Sequence, residues 1–162
     1  MTTLTDLALR LSCPADRDPI LSLLASTGFF RPDEIEVARD VLDDALKGGP
    51  NNMYTSVTAL VAGVPAGWVC IGPTACTIGT YDVYWIAVAR AHHRMGIGRA
   101  LLLHAENLIA QAGGRLVVIE TSSKDLYTPT RAFYLRNGYT QDARLKDFYA
   151  QGDDKCIFLK RL

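Results

Sequence analysis

The segment His93-Arg94-Met95-Gly96-Ile97-Gly98-Arg99 brings together residues that could hold an anion. It follows an apolar run ending in Ile86-Ala87-Val88, and an apolar-periodic stretch begins at Gly98. The order is therefore a strand, a short basic loop and a helix entered through Gly-x-Gly. Glycines let a backbone come close to a ligand, and the first-turn N–H groups of a helix have no partner inside it. With the helix dipole, those donors make a seat for a phosphate or diphosphate. Arg94 and Arg99 flank the seat and can add charge-assisted hydrogen bonds. Two nucleotide-binding versions fail on spacing. A Walker A loop needs Gly-Lys-Ser/Thr, which does not follow Gly98, and a dinucleotide fingerprint needs a third small residue where Leu101 stands. His92, His93 and His104 show no metal-ligand spacing with a carboxylate or cysteine on one face, so no metal is expected.

Holding such a loop takes a strand before it and a helix after it. Thr80 to Val88 reads as the strand. Gly98 to Ala112 reads as the helix, with Leu101, Leu102, Ala105, Leu108, Ile109 and Ala112 on one face and Gly113-Gly114 as its stop. Leu116-Val117-Val118-Ile119 is a continuous apolar run, as expected of a strand buried on both faces. Upstream, Thr5 to Leu11 reads as a first strand. Ala15-Asp16-Arg17-Asp18-Pro19 then reads as a helix start with an acidic cap just before the proline, with Ile20, Leu23 and Leu24 inside and Gly28 at the end of the helix. Phe29-Phe30 lie in the connection to a second helix, opened by Pro32-Asp33-Glu34 and ended by Gly48-Gly49-Pro50. Met53 to Ala62 and Ala66 to Ile71 read as strands around Gly63-Val64-Pro65, with Gly72-Pro73 as an interruption. Thr128-Pro129 opens a short helix that ends at Asn137-Gly138. Ala143 to Tyr149 and Cys156 to Arg161 read as antiparallel strands around Gln151-Gly152-Asp153-Asp154. The order is β-α-α-β-β-β-α-β-α-β-β, an α/β mixture.

A chain of 162 residues, 49% apolar and 21% charged, is expected to form one domain over residues 1–162. Its 17 basic and 17 acidic residues balance, which argues against a nucleic-acid partner, since such binders carry a basic excess. Cys13, Cys70, Cys76 and Cys156 form no C-x-x-C pair, and three lie in apolar or β-branched runs. They read as small buried residues of a reducing compartment. Met1 to Asp6 is polar and lacks the apolar region of a signal peptide, and no apolar run approaches the roughly 20 residues of a membrane span. A cytoplasmic chain without a membrane partner is expected, and homodimerisation is left open.

The stretch His93-Arg94-Met95-Gly96-Ile97-Gly98 after Ile86-Ala87-Val88 resembles the acetyl-CoA-binding motif of the GNAT superfamily of N-acetyltransferases, Gln/Arg-x-x-Gly-x-Gly/Ala after an Ile-Ala-Val strand end. His93 stands where the family usually has Gln or Arg. Arg131-Ala132-Phe133-Tyr134-Leu135-Arg136-Asn137-Gly138-Tyr139 resembles the family's short helix with its Tyr…Gly-Phe/Tyr signature. Lys146-Asp147-Phe148-Tyr149, the acidic-Gly loop and the terminal strand are similar to the family's ending. The motifs cover roughly Thr80 to Leu162, and the first half matches by element order only. In motif the chain is nearest the ribosomal-protein alanine acetyltransferase branch. The resemblance implies a mixed central sheet of about six to seven strands, splayed at the cofactor site and flanked by helices on both faces.

It further implies an N-acetyltransferase that passes acetyl from acetyl-CoA directly to a primary amine of a peptide or small molecule, in a ternary complex. The diphosphate would rest on the N–H groups of Arg94 to Arg99. The pantetheine arm would lie between the strand ending Ile86-Ala87-Val88 and the strand from Leu116 to Glu120, with an N–H near Val88 polarising the thioester carbonyl. Tyr134 matches the general acid that protonates the departing thiolate. Glu120 matches the base position of the alanine acetyltransferase branch, and at the edge of an apolar run its carboxyl is expected to be desolvated. Asp82 and Tyr84 are reserve candidates for the base. The segment from Glu120 to Tyr134 is two residues longer than in that branch, and Tyr127 replaces an asparagine, so the usual cofactor contact there is not implied. In the family this connection lines the acceptor side, so Phe29 and Phe30 with Asp33, Glu34 and Glu36 would give an aromatic wall with an acidic rim that suits a cationic amine; the acidic residues also read as simple complements of the helix dipole. The competing reading is a CoA-binding regulatory domain of the same fold without turnover. Tyr134 favours the enzyme, since a binding module needs no proton donor beside the sulfur.

Overall fold

The computed structural model describes residues 6–162. Strand β1 (Leu7–Leu11) is followed by helices α1 (Arg17–Thr27) and α2 (Pro32–Lys47), then strands β2 (Thr55–Val61), β3 (Val64–Pro73) and β4 (Thr80–Val88). Helix α3 (Ile97–Gln111), strand β5 (Leu116–Ser122), helix α4 (Thr128–Arg136) and strands β6 (Thr140–Ala150) and β7 (Asp153–Arg161) complete the order. Element types follow the expected succession, and the expected start of the first strand at Thr5 lies outside the described residues. The seven strands form one sheet in the order β1-β2-β3-β4-β5-β7-β6. Its one parallel pairing among the described residues joins β4 to β5.

Helices cover both faces. On one, Leu101, Leu102 and Ile109 of α3 pack with Tyr134, Tyr139 and Phe158 over Val57, Val69, Ile71 and Val83. On the other, Ile20, Leu23 and Leu24 of α1 and Ala38 and Leu42 of α2 pack over Trp68, Cys70 and Ala87. Each leucine or isoleucine fully withdrawn from water contributes about 2 kcal/mol, which fixes both layers on the sheet. The strand buried on both faces is thus β3, whose Trp68 and Cys70 point one way and Val69 and Ile71 the other. Strand β5 was the expected one. It buries Val117 and Ile119, but leaves Leu116 and Val118 half-buried and Glu120 exposed, because the α1–α2 layer packs over β3 and β4 rather than over this face of β5.

Two boundaries differ for local reasons. Helix α1 begins at Arg17, within the expected start from Ala15 to Pro19, but behind a 3-10 turn at Pro14–Asp16, so the acidic residue that precedes it is Asp16 and not Asp18. Asp16 is the carboxylate that turns inward, accepting the Cys13 N–H at 2.9 Å, while the Asp18 side chain stays exposed. Strand β3 runs through Gly72-Pro73, which pair with Asp82 and Tyr81. Cys70 and Cys156 are buried, Cys13 is half-buried and Cys76 is exposed, so burial holds for two of the four cysteines. Among the described residues, no helix is long and apolar enough to cross a membrane.

Candidate active site

The site begins where two strands part. Strand β4 pairs with β5 only from Thr80 to Asp82, opposite Leu116 to Val118, so the rest of β4 has no neighbour on that side. The cause lies next along the chain. Against β3, Val83 faces Ile71 and Trp85 faces Cys70, which leaves Tyr84 as an extra residue, a β-bulge. A bulge bends its strand and sharpens its twist, and here it turns β4 away from β5. It also exchanges the two faces: Val83, Ile86 and Val88 meet the α3 core, Trp85 and Ala87 the α1–α2 core. Gly72 makes room for it, since a Cβ there would lie 2.3 Å from the Met53 carbonyl oxygen and 3.0 Å from the Tyr84 ring.

Backbone polarity along the opened edge follows from the ladder. The Ala89 N–H donates to the Ala66 carbonyl at 2.8 Å, and in an antiparallel pair such bonded positions alternate with unbonded ones. Ala87 therefore turns its N–H to β3, whereas Ile86 and Val88 turn theirs into the wedge. The loop beyond is a cradle. Hydrogen bonding stops at the His93 N–H, bound to Arg90, and resumes at the Ala100 N–H, bound to Gly96. The six N–H groups of residues 94–99 are left without a partner among the described residues. Arg94 and Gly96 both take positive φ, 63° and 81°, a conformation that turns successive N–H groups inward. The His93 ring is committed elsewhere: its Nε2–H donates to the Val88 carbonyl at 2.9 Å and ties the loop to the strand end.

Side chains then divide by role. Met95 packs against the core, and Ile97, 2% exposed, anchors the start of α3, while Arg94 and Arg99 remain exposed beside the cradle. Gly67 lets α3 approach closely, since a Cβ there would meet Leu101 Cδ1 at 2.9 Å and Ile97 Cγ2 at 3.2 Å. Sequence reasoning missed it, although a glycine inside an apolar strand signals close approach. The cradle's free donors and the unpaired strand edge beside it fit a diphosphate with an extended arm.

Helix α4 supplies the next group. The Phe133 ring lies 3.5 Å from where a Gly98 Cβ would be, and 5.6 Å, centre to centre, from Tyr134. The Tyr134 ring is buried against Tyr139 and Phe158. Its hydroxyl has no hydrogen-bond partner among the described residues, yet the only fully enclosed side-chain polar atom lacking one there is His92 Nδ1. The Tyr134 oxygen therefore keeps an open side. Burial, then the nearby Tyr127, push this phenol well above its ordinary value near 10, so it stays protonated at neutral pH. Tyr127 itself donates to the Phe29 carbonyl at 2.9 Å and packs edge-on to the Phe29 ring, tying the turn before α4 to the α1–α2 connection.

Glu120 departs from expectation. It follows Val117 and Ile119 in alternation and so faces away from the α3 core, but it is not desolvated. Its side chain is 43% exposed, and Oε2 lies 2.6 Å from Lys155 Nζ on β7. Lys155 sits with its ammonium 3.8 Å from the centre of the Phe148 ring. Phe148 comes from β6, which slips register between Leu145 and Ala150. Asp154 holds that slip, accepting the Asp147 N–H at 2.9 Å and the Arg144 Nε–H at 2.5 Å. Those two bonds, the N–H first, keep the Asp154 carboxyl below its ordinary range.

Of the reserve candidates, Asp82 accepts from the Thr74 hydroxyl at 2.6 Å. Tyr84 is pushed up to about 12 by burial and then by Asp82, and its ring packs edge-on to Tyr54. The aromatic wall contains more than Phe29 and Phe30. Phe30 packs edge-on to Trp85 at 5.3 Å, and Trp85 stacks on Trp68 at 6.2 Å. Trp68 Nε1 donates to Ser56 Oγ, which is joined through Ser12 and Thr58 to Asp16. Burial alone would raise the Asp16 carboxyl. Hydrogen bonds from Arg10, the Cys13 N–H and Thr58 outweigh it and hold the group down at about 2. Asp33 is paired with Arg31, and Glu36 with Arg39.

A model of the acetyltransferase (GNAT) domain matches residues 55–141. Among solved structures, a protein from Desulfovibrio desulfuricans assigned to the GNAT family of acetyltransferases is 43% identical, with a TM-score of 0.92 over 96% of this chain and 98% of that chain. An aminoglycoside 6'-N-acetyltransferase complexed with coenzyme A is 17% identical, with a TM-score of 0.76 over 95% of this chain and 96% of that one. The ribosomal-protein-S18-alanine N-acetyltransferase from Escherichia coli is 16% identical, with a TM-score of 0.74 over 96% and 93%. These two share the fold. No curated protein matches the chain in sequence.

Proposed function

The chain belongs to the GNAT acetyltransferases, and from that premise we propose that it moves the acetyl group of acetyl-CoA directly onto a primary amine. Support comes from one coincidence: six unpartnered N–H groups at residues 94–99 stand beside the unpaired edge of β4, and Tyr134 keeps an unpartnered hydroxyl nearby. The donors of residues 94–99 would hold the diphosphate, with Arg94 and Arg99 beside it. The N–H groups of Ile86 and Val88 would pair with the pantetheine arm and polarise the thioester carbonyl.

In the reaction, the amine nitrogen forms a bond to the acetyl carbon, and the bond from that carbon to sulfur breaks. Glu120 would take the proton the amine sheds, directly or through water. Its exposure and its place on the α1–α2 face, opposite Tyr134, suit a group that meets an acceptor entering from that side. Tyr134 would give its proton to the departing thiolate. The wall of Phe30 and Trp85 would line the acceptor's path.

Two measurements test this. CoA and acetyl-CoA should raise the melting temperature, while ATP and NAD should leave it unchanged, since a ligand at a hundred times its Kd adds about 2.7 kcal/mol. With an acceptor amine, Tyr134→Phe should lower kcat by about a hundredfold and leave the acetyl-CoA KM within about threefold, followed as free thiol release. An unchanged kcat removes Tyr134 from the chemistry. Strong CoA binding with no turnover on any amine would favour the regulatory reading.

A further inference from the structure

Lys155 has no part in the mechanism above, yet its surroundings are those of a bound cation. Its side chain is 13% exposed, although β6 beside it is open to solvent along almost all its length. The ammonium lies 2.6 Å from Glu120 Oε2, 3.8 Å from the centre of the Phe148 ring and 5.9 Å from that of Tyr149. A carboxylate joined to the negative face of an aromatic ring is how proteins hold ammonium groups. Three strands contribute: Glu120 from β5, Phe148 and Tyr149 from β6, Lys155 from β7. The aromatic pair reaches the ammonium because β6 slips register there, with Asp147 at a φ of 52° and Asp154 pinning the slip. Tyr149 belongs to the same group, since burial and then the charges of Glu120 and Asp153 push its phenol up to about 12. Asp153, the other carboxylate here, is buried and engaged by the Ser122 hydroxyl, with Lys124 at 3.5 Å.

Resting on the reading of Glu120 as the acceptor-side base, we propose that Lys155 is a specificity-determining residue: its ammonium fills the cation site beside Glu120 and turns away acceptors that carry a second positive charge next to the reacting amine. A monoamine meets Glu120 with no further charge to place. A short diamine brings an ammonium that finds the carboxylate and aromatic face already taken and a like charge in the way. The acceptor class is therefore a primary amine without a neighbouring cation.

The test compares butylamine with 1,4-diaminobutane as acceptors for the full chain with acetyl-CoA. The native protein should favour the monoamine in kcat/KM by at least about tenfold, and this needs no variant to fold. In Lys155→Met the kcat/KM ratio should move toward the diamine by about tenfold, whereas Lys155→Arg should keep the native ratio. Equal use of the two amines by the native protein overturns the proposal, as does a Lys155→Met ratio that stays put or a Lys155→Arg variant that behaves like it. Such results with turnover intact leave the transfer reading standing, while no turnover on any amine removes both.

Discussion

The proposed donor and acceptor halves of the site are built from different material. The donor half is main chain from one continuous stretch: the N–H groups of Ile86 and Val88 and the six free donors of residues 94–99, held in place by His93 on the Val88 carbonyl. The acceptor half is side chains from distant parts of the chain, among them Phe30, Trp85, Glu120, Phe148 and Lys155, each held by another side chain. Main-chain donors can hold a diphosphate whatever side chains surround them, and the unpaired edge of β4 beside them selects a ligand with an extended arm. Side-chain pairs can be exchanged without disturbing the backbone, so that half is where selectivity can vary. The two share one element, the bulge at Tyr84, which opens the sheet for both.

Disturbing that shared element should have the largest effect. Gly72→Ala places a Cβ 2.3 Å from the Met53 carbonyl oxygen, and a main-chain atom cannot swing aside as a side chain would. Overpacking of this kind is expected to lower stability by about 3 kcal/mol, read as a lower urea midpoint at unchanged slope. Binding of acetyl-CoA and use of the acceptor should weaken together. A stable variant with both KM values intact would show that the bulge does not open the wedge.

The second effect belongs to the acceptor half alone. Asp16 begins the hydrogen-bonded chain that ends on Trp68, the residue on which Trp85 stacks. Its carboxyl titrates at about 2 in the folded protein and at about 3.9 in an unfolded chain. A depressed folded value means stability that is fully present above about pH 4 and is lost as pH falls toward about 2. The difference is worth about 2 to 3 kcal/mol, at about 1.4 kcal/mol per unit. Asp16→Asn should be less stable by about that amount at pH 7 and should lack this part of the acid-induced loss. Its acceptor KM should rise while its acetyl-CoA KM holds. A matching rise in both would mean that the aromatic wall also supports the donor half.

The same division decided what could be read from the amino-acid order. The cradle was legible because its signals are local: a strand end, two glycines and a periodic helix lie within about twenty residues. The succession of elements, with the short helix that carries Tyr134, was legible for the same reason. Glu120 was found as a position, but its state was misjudged. Lys155 pairs with it across two strands, and that contact depends on the β5–β7 register and on a slip in β6 that no residue type announces. Asp16 and Asp18 both precede helical turns, and only packing selects the one that turns inward to Arg10 and Thr58. Tyr84 carries no mark of a bulge, although Gly72 across from it does signal a close approach.

The smallest effect should isolate the donor half. Gly67 sits on β3 under the first turns of α3, where an added Cβ would be 2.9 Å from Leu101 Cδ1, 3.2 Å from Ile97 Cγ2 and 3.2 Å from the Ala87 carbonyl oxygen. The Leu101 methyl is the end of a flexible side chain and can yield. The Ala87 carbonyl and the Ile97 methyl, both at 3.2 Å, need give only a few tenths of an ångström, and buried Ile97 does so by α3 lifting at its start. The donors of residues 97–99 would move with it by a few tenths of an ångström, while Glu120, Lys155 and Trp85 lie on elements that need not shift. Gly67→Ala is therefore expected to raise the acetyl-CoA KM about tenfold, about 1.4 kcal/mol, with the acceptor KM unchanged. Equal changes in the two constants would mean that the cradle and the acceptor wall move as one body, and the division between a main-chain half and a side-chain half would not survive.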